Sequence, residues 1–143
     1  MSTDPSRVAP SLAERQPIRV DDVPWQEFLT ADGASTGVFT KSLVDPESGN
    51  VVMMARFPPN HRARPHWHLS PMLYITTAGE FIVDGERSYF AGDLRWVRGG
   101  YSYGSEGAGP EGCEFYVMSL GPYGQFYPEE HTPPHGRWDD HDD

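Results

Sequence analysis

A chain of 143 residues with a net charge of −10 is the size of one domain, and its 11 basic residues are too few to draw it onto phosphate. The charge repels nucleic-acid backbones and anionic lipid surfaces, and no apolar run approaches the roughly 20 residues of a membrane span. Neither nucleic acid nor membrane is expected as a partner. Residues 1–17 read as a flexible lead without the apolar centre of a secretory leader, so a soluble, cytoplasmic protein is expected. Pro24 to Leu29 reads as one helical turn, and Val38 to Val44 as a strand closed by the turn residues Asp45 to Asn50. Val51 to Phe57 is the next strand, stopped by Pro58-Pro59, because proline donates no ladder hydrogen bond. Met72 to Thr77, Glu80 to Val83, Arg87 to Phe90, Leu94 to Val97 and Cys113 to Leu120 read as further strands, with Asp84-Gly85 as a hairpin turn. The glycine-rich stretch Tyr101 to Gly112 lacks the strand-to-helix context of a phosphate loop and reads as a flexible connection. Residues 128–143, with their histidines and closing aspartates, read as a solvated acidic tail.

Many short strands, 15 glycines and 14 prolines, and no long segment of helical period describe an all-β domain over 18–127, a sandwich or barrel. There is no internal repeat of the kind that builds a solenoid. Cys113 is the one cysteine and cannot form an internal disulfide, which fits a reducing compartment. Its neighbours Glu114, Phe115 and Tyr116 bring no cation to activate it, so it reads as a buried structural thiol.

His61, His66 and His68 fall within eight residues, while the other three of the six histidines lie in the tail. On an extended strand, side chains two apart share a face, so His66 and His68 converge on one point while Trp67 turns away. A pair of neutral imidazoles is the usual beginning of a transition-metal site, and equally a pair of hydrogen-bonding groups.

The spacing around the pair resembles the first motif of the cupin superfamily: Gly, five residues, His-x-His, three or four residues, Glu, six residues, Gly. Here it reads Asn60, five residues, His66-Trp67-His68, three residues, Met72, six residues, Gly79. Asn is the non-glycine residue best suited to a left-handed turn, so Asn60 is a mild replacement; Met72 removes the usual carboxylate. The second motif is similar in Gly92-Asp93, the strand that follows and Gly100, with Tyr103 where the family has its third histidine. The resemblance implies a cupin-type double-stranded β-helix, a jelly-roll barrel, with a small-molecule pocket at the histidines, and a homodimer by analogy. It implies a metal site at His66 and His68, completed by Tyr103, by Glu80 or by His61. Fe is favoured, because Fe(III) best stabilises a phenolate; Mn, Cu, Ni and Zn are the other candidates, and so is no metal.

Three functions follow from this resemblance. One is a metal-dependent dioxygenase cleaving a diketone-like or phenolic substrate, with Tyr103, His61 and Glu80 as candidate catalytic groups. Another is a metal-free isomerase or cyclase in which His66, His68 and Tyr103 move protons. The last is a barrel that binds a small molecule without turnover. Tyr74 shares a face with Met72 two residues away, and both are expected in the pocket wall with Trp96. Ten of the 11 basic residues are arginine, and Arg62 and Arg64 precede the histidine pair on a loop over the expected rim, where a guanidinium can grip a substrate carboxylate.

Overall fold

The computed structural model describes residues 18–44 and 51–138, so the expected lead 1–17, the turn at 45–50 and the last five residues of the tail lie outside the described residues. Among the described residues nine strands form two antiparallel sheets: β1 (Gln26–Leu29), β2 (Ser35–Ser42), β3 (Val52–Phe57), β4 (His66–His68), β5 (Met72–Val83), β6 (Leu94–Val97), β7 (Ser102–Tyr103), β8 (Glu106–Ser119) and β9 (Gln125–Phe126). The larger sheet has the order β1-β2-β3-β8-β5-β6 and the smaller the order β7-β4-β9. This is the expected all-β cupin barrel.

Three local expectations are corrected. The segment read as a helical turn forms β1, paired with β2 (Gln26 opposite Thr40), and a short 3₁₀ turn lies upstream at Val20–Asp22. Strand pairing outweighs local propensity there, and Trp25 is fixed between the cations of Lys41 and Arg56, 4.7 and 4.2 Å from its ring. The two strands expected on either side of Gly79 are one strand, β5, whose register against β8 shifts around that glycine. Gly79 has φ of 69°, and a Cβ on it would collide with the Gly112 carbonyl, so only glycine keeps the ladder continuous. The glycine-rich stretch read as a flexible connection is β7 and the first half of β8. Glycine there serves close approach: a Cβ on Gly107 would strike the His61 carbonyl.

Residues 87–90 make only a single bridge, Phe81 to Tyr89, across the Asp84-Gly85 turn. The first part of the expected tail runs along the barrel. Ser102 N–H donates to the Gly136 carbonyl, and the Trp67 indole N–H donates to the His131 carbonyl over 2.8 Å.

The core lies between β5, β8 and β3, around Met72, Tyr74, Phe81, Val83, Ala108, Phe115 and Val117. Phe81 stacks on Phe115 with ring centroids 4.6 Å apart, and Phe57 meets Phe115 edge-on at 5.0 Å. Full burial of each such aromatic contributes about 2–3 kcal/mol.

Candidate functional site

Strand β4 is short, yet it is held on both edges. His66 pairs with Tyr103 of β7, His68 with Gln125 of β9, and Trp67 with residues of both. The alternation places Trp67 on the outer face, stacked on Phe126 at 4.6 Å, and turns both imidazoles inward, with ring centroids 4.9 Å apart. They reach a cavity of about 370 Å³ whose walls are mostly apolar, among them Met53, Phe57, Met72, Phe115 and Val117.

His66 is buried and both of its ring nitrogens are engaged. Nδ1 donates to the Arg64 carbonyl over 3.1 Å, which fixes the ring and directs Nε2 to the Glu106 carboxylate at 3.0 Å. Burial alone depresses the His66 pKa, but the Glu106 charge and hydrogen bond outweigh it and the net shift is upward. Burial likewise pushes Glu106 up, and the charges of His66 and Arg95 bring it below the usual carboxylate range. Without a metal the two are therefore an ion pair sharing one proton. His68 is pushed down to about 4, first by burial and then by the His66 charge, and its Nδ1 is buried without a hydrogen-bond partner.

The expected site residues separate into two groups. His61, Arg62, Arg64, Met72 and Tyr74 line the same cavity as His66 and His68. Arg62 donates to the carbonyls of His61 and Ala108, while Arg64 donates to Glu129 and stacks over Tyr127 at 3.7 Å. The His61 imidazole lies against Phe57, 4.6 Å between ring centroids, and burial lowers its pKa.

Tyr103, Glu80 and Trp96 lie outside the cavity lining. Tyr103 is fully buried beside His66, and its hydroxyl shares a 2.9 Å hydrogen bond with that of Tyr74. Burial holds its phenol well above its ordinary pKa. Glu80 accepts a hydrogen bond from Ser88 on the neighbouring segment. Trp96 is 59% exposed on the outer face of β6, because the register that sets Arg95 opposite Tyr74 points Arg95 into the barrel and Trp96 away from it.

The groups that sequence reasoning missed are Glu106, Arg95 and Glu86. Glu106 faces His66 on the cavity wall, and it lies in the stretch read as a loop. The donor types His66, His68 and Glu106 are those of two-histidine, one-carboxylate iron sites. The 3.0 Å between Nε2 and Oε1 is also the separation of two adjacent ligands each about 2.1 Å from one ion. Among the described residues no three His, Cys, Asp or Glu side chains are gathered closely enough to form a complete site. The fit to a metal therefore rests on the donor chemistry of the His66–Glu106 pair and of His68, whose ring lies 4.9 Å from that of His66.

An antiparallel jelly-roll barrel with an inward histidine pair on a short strand defines a cupin. Within that superfamily the chain belongs to the ChrR cupin-like domain family, whose pattern matches residues 13–124. Comparison with curated proteins yields no match. Among solved structures, the chain is similar to a putative acetylacetone dioxygenase from Methylibium petroleiphilum PM1, with 24% identity, 87% of this chain and 89% of that one covered, and a TM-score of 0.68. It is similar to the polyketide cyclase RemF from Streptomyces resistomycificus, with 17% identity, 84% and 89% covered, and a TM-score of 0.63. An RmlC-like cupin protein from Ralstonia eutropha JMP134 shares 17% identity over 72% of this chain, with a TM-score of 0.62, and the chain spans 66% of its length. These likenesses are of fold. No helix among the described residues is long and apolar enough to cross a membrane.

Proposed function

We propose that this protein is a metal-dependent enzyme that, with dioxygen, cleaves a small, largely apolar substrate of the diketone-like or phenolic kind. The observation that carries the proposal is the His66 Nε2 and Glu106 Oε1 pair at 3.0 Å on the wall of an apolar cavity, with the His68 ring on the same wall, 4.9 Å from that of His66. A bound Fe(II) would supply Lewis acidity and the means to engage dioxygen. His66 and Glu106 would hold it, exchanging their shared proton for the ion, and His68, with its ring 4.9 Å from that of His66, would move in as the third donor. The Arg64 carbonyl keeps His66 in the tautomer whose Nε2 carries the lone pair once that proton has left. The apolar walls seat the substrate body and exclude water. The likeness to a putative acetylacetone dioxygenase agrees with this class. A homodimer belongs to the same reading: Leu94 and Trp96 expose an apolar outer face on β6, and molecular mass in solution tests it.

A second reading has its own support. The buried His66–Glu106 ion pair is already an acid–base couple, suited to isomerisation or cyclisation without metal. One experiment separates the two. Untagged protein reconstituted with Fe(II) and analysed for metal is expected to hold close to one ion per chain, and Glu106→Gln or the double variant His66→Ala/His68→Ala to hold none. Failure to bind Fe, Mn, Cu, Ni or Zn would overturn the metal reading, and turnover whose pH profile depends on His66 would then establish the second.

A further inference from the structure

We infer that Arg95 is a positioning residue for Glu106, presenting that carboxylate to the centre by one oxygen, and that Glu86 is the counter-charge that allows it to do so. The inference rests on the metal reading above. Arg95 is 4% exposed on the inner face of β6 and does not line the cavity, so whatever it does at the centre it does through another group. Its Nε and one terminal nitrogen donate to the two oxygens of Glu86, each over 2.8 Å. The other terminal nitrogen points to Glu106 Oε2 at 3.4 Å, while Glu106 Oε1 faces His66 at 3.0 Å. The guanidinium plane is steadied by the rings of Tyr103 and Tyr74, with centroids 4.5 and 4.9 Å away. Glu106 is thus divided between two partners, one oxygen for the arginine and one for the centre.

Both acidic neighbours are needed for that division. A lone buried guanidinium would draw both oxygens of Glu106 into its own fork and would repel a metal ion on the far side of the carboxylate. Glu86 occupies the fork first, so Arg95 is neutralised and has only one N–H direction left for Glu106. On a barrel face where the neighbouring strands place Met72, Phe81, Val83, Phe115 and Val117, such charges are poor ways to gain stability. A buried ion pair can usually be replaced by apolar or neutral groups of similar size without loss.

That contrast supplies the test. The double variant Arg95→Met/Glu86→Gln removes both charges together, and Glu86→Gln alone leaves the cation uncompensated. Three quantities are measured: melting temperature of the metal-free protein, Zn(II) affinity by competition with a chromophoric chelator, and the visible spectrum of the Co(II)-loaded protein. The double variant is expected to melt near the wild type, to bind Zn(II) at least about tenfold more weakly and to show an altered Co(II) spectrum. Glu86→Gln is expected to lose at least as much affinity, although Glu86 does not reach the cavity. A double variant that binds Zn(II) like the wild type, with an unchanged Co(II) spectrum, would overturn the inference while leaving the metal reading intact. Wild-type protein that binds neither ion would overturn both, and this is visible before any variant is compared.

Discussion

Within one barrel, the packing around Phe81 and the wall around His66 are buried alike and built from opposite chemistry. Phe81, Val83 and Phe115 fill space with aromatic and branched carbon, each neighbour gaining from the others. A few ångströms away, His66, Glu106, Arg95 and Glu86 form a run of alternating charge, in which every group loses hydration on burial and recovers it only through its partners. The first region explains why the barrel folds. The second is kept in spite of its cost, and that is the physical reason to look for function there.

The sharpest break of this comparison is at Phe81. Phe81→Ala should destabilise the protein by about 3–5 kcal/mol in chemical denaturation, because its ring is enclosed by Tyr74, Tyr89 and Phe115 and leaves a cavity. A loss as large from the double change at Arg95 and Glu86 would erase the distinction between the regions. Next in size is the acid response of the metal-free protein. The pKa of His68 is depressed to about 4 in the folded state, so between pH 6.5 and 4 the unfolded chain binds the extra proton. Stability present above pH 6.5 is then lost as pH falls through that window, by about 3 kcal/mol at most. Glu106, also depressed, adds to the loss at lower pH. Melting curves across pH 4–7 should show this slope, and His68→Gln should flatten it. The smallest effect is expected at Tyr103. Tyr103→Phe removes the hydrogen bond to Tyr74 and should cost about 1 kcal/mol while leaving metal content unchanged. A loss of metal instead would return the phenol to the centre.

Much of this was legible in the sequence. Short β-rich runs with turn residues between them, and the spacing from Asn60 to Gly79, identify the barrel, and the two-residue period places His66 and His68 on one wall. Arg95 ran against the usual alternation, since Leu94 and Trp96 flank it and were the natural candidates for the interior. The sign was available in its register with Tyr74, but only pairing across strands reveals it. Glu106 was out of reach for a different reason. Counting back by twos from the inward Cys113 arrives at Gly107, not Glu106. The ladder takes two residues on β5, Gly79 to Phe81, against five on β8, Cys113 to Ala108. The odd excess reverses which face each later residue occupies.

That uneven stretch of β8 makes the charged wall depend on arithmetic. In plain alternation the seven steps from Cys113 back to Glu106 would turn the carboxylate outward and Gly107 inward, so the irregular stretch is what keeps Glu106 on the wall. A chain one residue shorter between 109 and 112 would have six steps there and would present the same carboxylate with no irregularity at all. Between kindred chains, the parity of that span decides which side chain reaches the wall.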